Sequence, residues 1–271
     1  MKKLLASLCL TALLAGFCAC VQTPPETPST SQPEEPLRVS SYEAFYDDGT
    51  PILDEDGVPL RAIDTDIGTI RFTERDDGIY INYIANRPQD LDAFALPAYI
   101  DGKPVVCAGW ASLKNMGCKE LLLPETMKGV TLSTSSFETI VIPKSLELIH
   151  FDRSVYRNAV VDPDNPYFSE IDGVLVSKDK TVLIKYPGMR EEKSYTVPAC
   201  IMEIAGGAFS RSNPEEIIIP PTVTKLPDPE EDVETLGFYA TVVVAPGSAA
   251  EAFAKEILKT GIALELVVRE F

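Results

Sequence analysis

Six times along the chain a largely apolar triplet ends in proline. The copies are Phe94-Ala95-Leu96-Pro97, Leu121-Leu122-Leu123-Pro124, Ile140-Val141-Ile142-Pro143, Tyr195-Thr196-Val197-Pro198, Ile217-Ile218-Ile219-Pro220 and Val243-Val244-Ala245-Pro246. Successive prolines lie 27, 19, 55, 22 and 26 residues apart. A recurrence of this length is the mark of a solenoid, in which each coil is too small to bury its own apolar face and stacks on the next. Each triplet reads as one short strand per coil. Proline closes it because it cannot donate to a strand ladder. The 55-residue interval must hold a longer unit.

The ends of the body read clearly as well. Ile70 to Thr73 and Ile79 to Tyr83 alternate apolar and polar residues around Asp76-Asp77-Gly78, a hairpin signature. Residues 37–90 therefore form a small N-terminal β region ahead of a solenoid over 91–271. Near 248–260 a closing helix is expected. Ser248 and Glu251 make a capping box, Ala250, Phe253, Ala254, Ile257 and Leu258 share one face, and Gly261 stands where a helix stops. Ala263 to Val268 can add a final strand.

Several phrases resemble BspA-type leucine-rich-repeat proteins. Leu96 to Val105, containing Ile100-Asp101-Gly102-Lys103-Pro104-Val105, is similar to that family's opening rung. Ile201 to Phe209, followed by Ile217 to Pro220, resembles its core rung, and Val161 to Pro187 resembles its inserted hairpin unit. Pro246 to Lys255 resembles its closing helix. Two rungs depart from the pattern: Trp110 to Leu113 lacks a clean Ala-Phe pair, and 131–137 is Ser/Thr-rich where a turn belongs. The resemblance implies a leucine-rich-repeat solenoid, a right-handed β-α superhelix rich in short strands and turns, with a C-terminal capping helix. It also implies a surface scaffold for adhesion or protein binding.

The N-terminus reads as an address. Lys2 and Lys3 precede an apolar run from Leu4 to Cys20, the pattern of a signal peptide over 1–19. The competing reading is a membrane anchor, but the flank that follows is polar and acidic. Leu13 to Cys20 resembles a bacterial lipobox, which implies acylation of Cys20, with Cys18 as the alternative. Simple secretion is the outcome if the motif is unused. Residues 20–36 would then be the lipidated cysteine and a proline-rich spacer, extended and solvated, holding the body off the membrane.

The remaining residues narrow the chemistry. The full chain carries 41 acidic and 24 basic residues, a formal charge of −17. Loss of Lys2 and Lys3 with the leader would deepen this to −19. Such a surface repels nucleic acid and favours basic partners. His150 is the only histidine. No G-x-S-x-G elbow is present, and the neighbours Leu148, Ile149 and Phe151 place His150 in a rung core. Cys107 and Cys118 read as small core residues, and with Cys200 they make an odd number, so full pairing is impossible and a disulfide scaffold is not the basis of the fold. Asp54-Glu55-Asp56-Gly57 and Asp162-Pro163-Asp164-Asn165 offer oxygen ligands without the EF-hand pattern and read as turns. No cofactor is called for.

The aromatic residues Tyr156, Tyr167, Phe168 and Tyr186 in or near the inserted unit are the candidate binding residues, set against packing roles. The expectation is a non-catalytic surface lipoprotein of the cell envelope. It would be anchored to the membrane by lipid and would bind an extracellular or host protein. The alternatives are a structural envelope protein without a ligand and an enzyme using acidic residues.

Overall fold

The computed structural model describes residues 41–46, 49–88, 91–212, 214–229, 235–236 and 240–271. The expected leader, Cys20 and the spacer lie outside them.

In chain order the first strands are β1 (Tyr42–Glu43), β2 (Arg61–Thr65), β3 (Gly68–Arg75), β4 (Gly78–Ala85), β5 (Ala93–Ala95), β6 (Tyr99–Ile100) and β7 (Lys103–Ala108). There follow β8 (Gly117–Leu122), β9 (Gly129–Ser133), β10 (Ser136–Ile142), β11 (Leu148–Asp152), β12 (Val155–Val161), β13 (Phe168–Ile171), β14 (Val174–Ser177) and β15 (Val182–Lys185). The chain closes with β16 (Ser194–Thr196), β17 (Glu203–Ile204), β18 (Glu216–Ile219), β19 (Thr241–Val244), α1 (Ala249–Lys259) and β20 (Glu265–Val268).

The architecture is a β-solenoid of about eight turns with one short C-terminal helix among the described residues. All six proline triplets form strands of two parallel sheets, β5-β8-β10-β12 and β16-β18-β19-β20. Past four of these strands the same tight turn recurs. The Pro124, Pro143, Pro198 and Pro220 carbonyls accept from the N–H of Met127, Leu146, Ile201 and Val223, and these four side chains are fully buried.

The return leg of each coil differs from the single-strand expectation. Among the described residues it forms a second strand in most coils, and only the coil after β19 returns through a helix, α1. β4, β7, β9 and β11 stack in parallel on one another, and β15 and β17 do so further along. Val130 and Leu132 turn inward while Thr131 does not, the period-2 pattern of a half-buried strand. Side chains from both legs fill the core.

The Ser/Thr-rich stretch at 131–137 is a regular part of this stack. Gly117, Ser136 and Val155 lie in register, so the coils here are nineteen residues long. Ser133, Ser135 and Ser154 are buried at the turns. Met116 N–H donates to Ser135 Oγ and Ser135 N–H donates to Ser154 Oγ, each at 3.0 Å. The Ser135 hydroxyl donates to the Leu113 carbonyl at 2.5 Å. Serine is needed where the turn backbone would otherwise be buried without partners.

The 55-residue interval contains one more nineteen-residue step, to Asp162, and then the inserted β13-β14-β15 meander. This insertion divides the interior. One cluster runs from Ile63 to Leu175, the other from Val174 to Leu264. β14 is the wall between them: Leu175 faces the first core while Val174 and Val176 face the second. Alternation along a strand buried on both faces produces this division.

The ends are closed differently. β1 to β4 form an antiparallel meander that contains the expected hairpin as β3-β4, and β4 passes parallel to β7. Gly78 makes that approach possible: a Cβ there would stand 2.5 Å from the Pro104 carbonyl oxygen. At the other end Ser248 caps α1 by accepting from Glu251 N–H, and Ala250, Phe253, Ala254 and Ile257 enter the second core. The Glu251 carboxylate reaches back to Gly247 N–H at 2.6 Å.

Candidate binding face

The four aromatic residues expected to bind separate sharply. Tyr156, Tyr186 and Phe168 are 0%, 1% and 8% exposed and present no surface to a partner. Tyr156 lies in register with Phe137 and Cys118, an inward column of the stack. Its hydroxyl donates to the Lys185 carbonyl at 2.7 Å and accepts from Leu175 N–H at 3.2 Å, at a bulge in the β14-β15 ladder. Burial drives its phenol far above the ordinary range. Tyr186 stacks on Phe209 at 5.3 Å between ring centroids, and Phe168 enters the first core. Tyr167 is 49% exposed and does face solvent.

A second exposed face lies on the outside of β4, β7, β9 and β11. The register places Tyr80, Cys107, Gly129 and Leu148 in one row across the strands. Thr131 with His150, and Ser133 with Asp152, form the next rows. Leu148 is 66% exposed and Trp110 is 53% exposed. His150 is exposed too, which corrects its expected place in a rung core. Ile149 and Phe151 turn inward from the same strand, so alternation alone sends Leu148, His150 and Asp152 outward.

Trp110 is held in place. Its Nε1 donates to Asp152 Oδ2 at 2.9 Å, and the Lys114 ammonium lies 4.2 Å from the ring centroid. Ser133 Oγ donates to the same carboxylate oxygen at 2.8 Å. These bonds, first from Trp110 and then from Ser133, hold the Asp152 carboxyl below its usual range. Ser133 donates its hydroxyl hydrogen bond directly to the carboxylate and not to His150, which is the wrong order for a Ser-His-Asp relay.

The two half-buried thiols are unactivated. Burial raises Cys107, half-buried beside Tyr80 and Gly129, and pushes Cys118 up to about 11. The acidic turns satisfy their own backbones. Asp54 Oδ1 accepts from Asp56 and Val58 N–H, and Asp162 Oδ1 from Asp164 N–H. Asn165 is fully buried at a position equivalent to Leu146. Its amide donates to the Pro143 and Leu146 carbonyls at 2.8 and 3.0 Å, and its oxygen accepts from Tyr167 and Phe168 N–H at 2.8 and 2.7 Å. Among the described residues no group of three or more His, Cys, Asp or Glu could hold a metal ion.

Beside the start of β11 lies a shallow groove of about 470 Å³, lined in part by Glu125, Glu147, Asp164, Lys144 and Tyr167. Three carboxylates against one ammonium make it acidic. Sequence reasoning picked out Tyr167 and passed over Trp110, Leu148 and His150. The alternation of Leu148 to Asp152 was the available signal for the last two.

No protein-family model matches the chain, and no curated protein does. Among solved structures the chain is similar to a leucine-rich repeat protein from Eubacterium ventriosum, at 16% identity and TM-score 0.39, over 69% of this chain. It spans 63% of that protein's length. It is also similar to a leucine-rich cell surface protein from Faecalibacterium prausnitzii, at 11% identity and TM-score 0.35, over 78% of this chain and 95% of that one. The pneumococcal vaccine antigen PcpA is similar at 12% identity and TM-score 0.34, over 78% of this chain and 99% of that one. The solenoid itself is established by its own strand register.

Proposed function

We propose that this protein is a non-catalytic, cell-surface lipoprotein of the BspA-type leucine-rich-repeat kind, whose solenoid binds an extracellular or host protein. The observation that carries the reading is the outer face of β4, β7, β9 and β11. There Leu148 stands more than half exposed on a parallel sheet, and Trp110, equally exposed at the turn after β7, is tied to the end of β11 through Asp152. Large exposed apolar and aromatic side chains on an ordered surface are what binding anchors look like. The formal charge of −17 favours basic partners and makes association sensitive to salt.

The full chain displayed on beads should bind basic extracellular proteins saturably, and more weakly as salt rises. Trp110→Ala and Leu148→Asp should each weaken that binding at least tenfold. Absence of saturable binding across such a panel overturns the reading. Lipid attachment is tested separately. Radioactive fatty acid should label the wild type and not Cys20→Ala, and an unlabelled wild type removes the anchor from the proposal.

A further inference from the structure

Within the solenoid, the stacking of return strands stops short. The sheet that begins at β1 ends at β11, which pairs with β9 on one side and with no strand on the other among the described residues. The next coil repeats the turn, with Asn165 N–H donating to the Asp162 carbonyl, but β13 then pairs antiparallel with β14. The stack therefore breaks at β11, in mid-body.

The direction of the free groups follows from the register. Leu148 N–H donates to the Lys128 carbonyl, and Thr134 N–H donates to the Asp152 carbonyl. Alternate residues of a parallel strand face one neighbour, so Leu148, His150 and Asp152 spend their backbones on β9. Ile149 and Phe151 turn theirs to the open side. Open edges are commonly guarded by lysine, proline or a bulge. β11 reads Leu-Ile-His-Phe-Asp, with none of these. Leu148 and His150 stand exposed on its outer side, and the acidic groove with Tyr167 lies beside its N-terminal end.

Resting on the binding reading above, we infer that the open edge of β11 takes up an extended segment of the partner as an added strand, with a lysine or arginine of that segment in the groove of Glu125, Glu147 and Asp164. Main-chain pairing to Ile149 and Phe151 supplies the register. Leu148 offers an apolar contact to alternate side chains. The three carboxylates, with the Tyr167 ring alongside, select a cation.

The test uses the full chain and a fluorescent synthetic peptide of alternating valine and threonine begun by two arginines. Two controls keep its side chains or its backbone: one N-methylated at alternate amides, one with glutamates in place of the arginines. The peptide should bind, and both controls should bind at least tenfold more weakly. Glu147→Lys should cost a similar factor. Amide exchange at Ile149 and Phe151 should be faster than at His150 in the free protein and should slow on binding.

Equal affinity for the N-methylated peptide, or unchanged exchange at Ile149 and Phe151, overturns strand addition. Protection of those amides by self-association, with no peptide bound, assigns the edge to a second copy of the chain and also overturns it. If the peptide fails while protein partners still bind through Trp110, only this inference falls. If neither binds, the broader reading falls as well.

Discussion

Removing one oxygen atom tests how the inserted unit is fastened. The Tyr156 hydroxyl sits between Leu175 N–H and the Lys185 carbonyl, where the β14-β15 ladder slips its register. Tyr156→Phe keeps the ring, its contact with Phe151 at 5.6 Å and its burial, and deletes only the bridge. Two buried backbone groups then lose a partner. At roughly 1–3 kcal/mol for each unsatisfied group, and with neutral bonds near the low end, the expected loss is about 2–3 kcal/mol. For a domain of this size that is a fall in Tm of about 4–12 °C. Urea unfolding followed by circular dichroism should show a lower midpoint with an unchanged slope, since the surface exposed on unfolding is the same. If the variant loses less than about 0.5 kcal/mol, the ladder has closed directly from Leu175 to Lys185 and the bridge is not a fastener.

Three further outcomes follow from the same contacts. Asn165→Leu should destabilise the protein by about 2 kcal/mol, because four lost bonds of roughly 1 kcal/mol each outweigh roughly 2 kcal/mol from burying leucine; a thermal scan showing an equal or higher Tm would contradict the stapling role. The Asp152 carboxyl is held low in the folded state, so its contribution is present above the ordinary value of about 3.9 and is lost as pH falls through the lower folded value. Since Trp110 is the only tryptophan, its fluorescence should report that transition below pH ~3.9, and Asp152→Asn should abolish it. Among Cys107, Cys118 and Cys200, peptide mapping after brief alkylation at neutral pH should find Cys200 modified first, since it is exposed while burial raises the other two thiols.

The legible part of the fold was the part written in strong local signals. The proline triplets, the Asp76-Asp77-Gly78 hairpin and the Ser248 cap each became the expected element. Return strands such as β9 and β11 lack the closing proline that marks the triplets, and in these two the alternation runs through Thr, Ser and His. β17 has two residues, too few for a period to show. The 131–137 stretch looked degenerate because serine usually signals exposure, and its burial depends on partners nineteen residues away. The site was harder for the same reason. Tyr156 and Trp110 are both large aromatics, and composition cannot tell which one faces water. Register settles it: Tyr156 stands in an inward column with Phe137, while Trp110 sits at a turn and reaches Asp152 across 42 residues.

The double-faced strand β14 sets which changes of length this chain can absorb. An insertion of a whole nineteen-residue coil ahead of it, between Pro124 and Pro143, would add one strand to each of the two sheets that pass there and lengthen the stack by about 4.8 Å without moving any existing side chain to a new face. A one-residue slip of β14 would exchange the occupants of both cores at once, since Val174 and Val176 would turn where Leu175 had faced. Growth by duplication is therefore open to the coils, while the wall between the two cores is fixed to the residue.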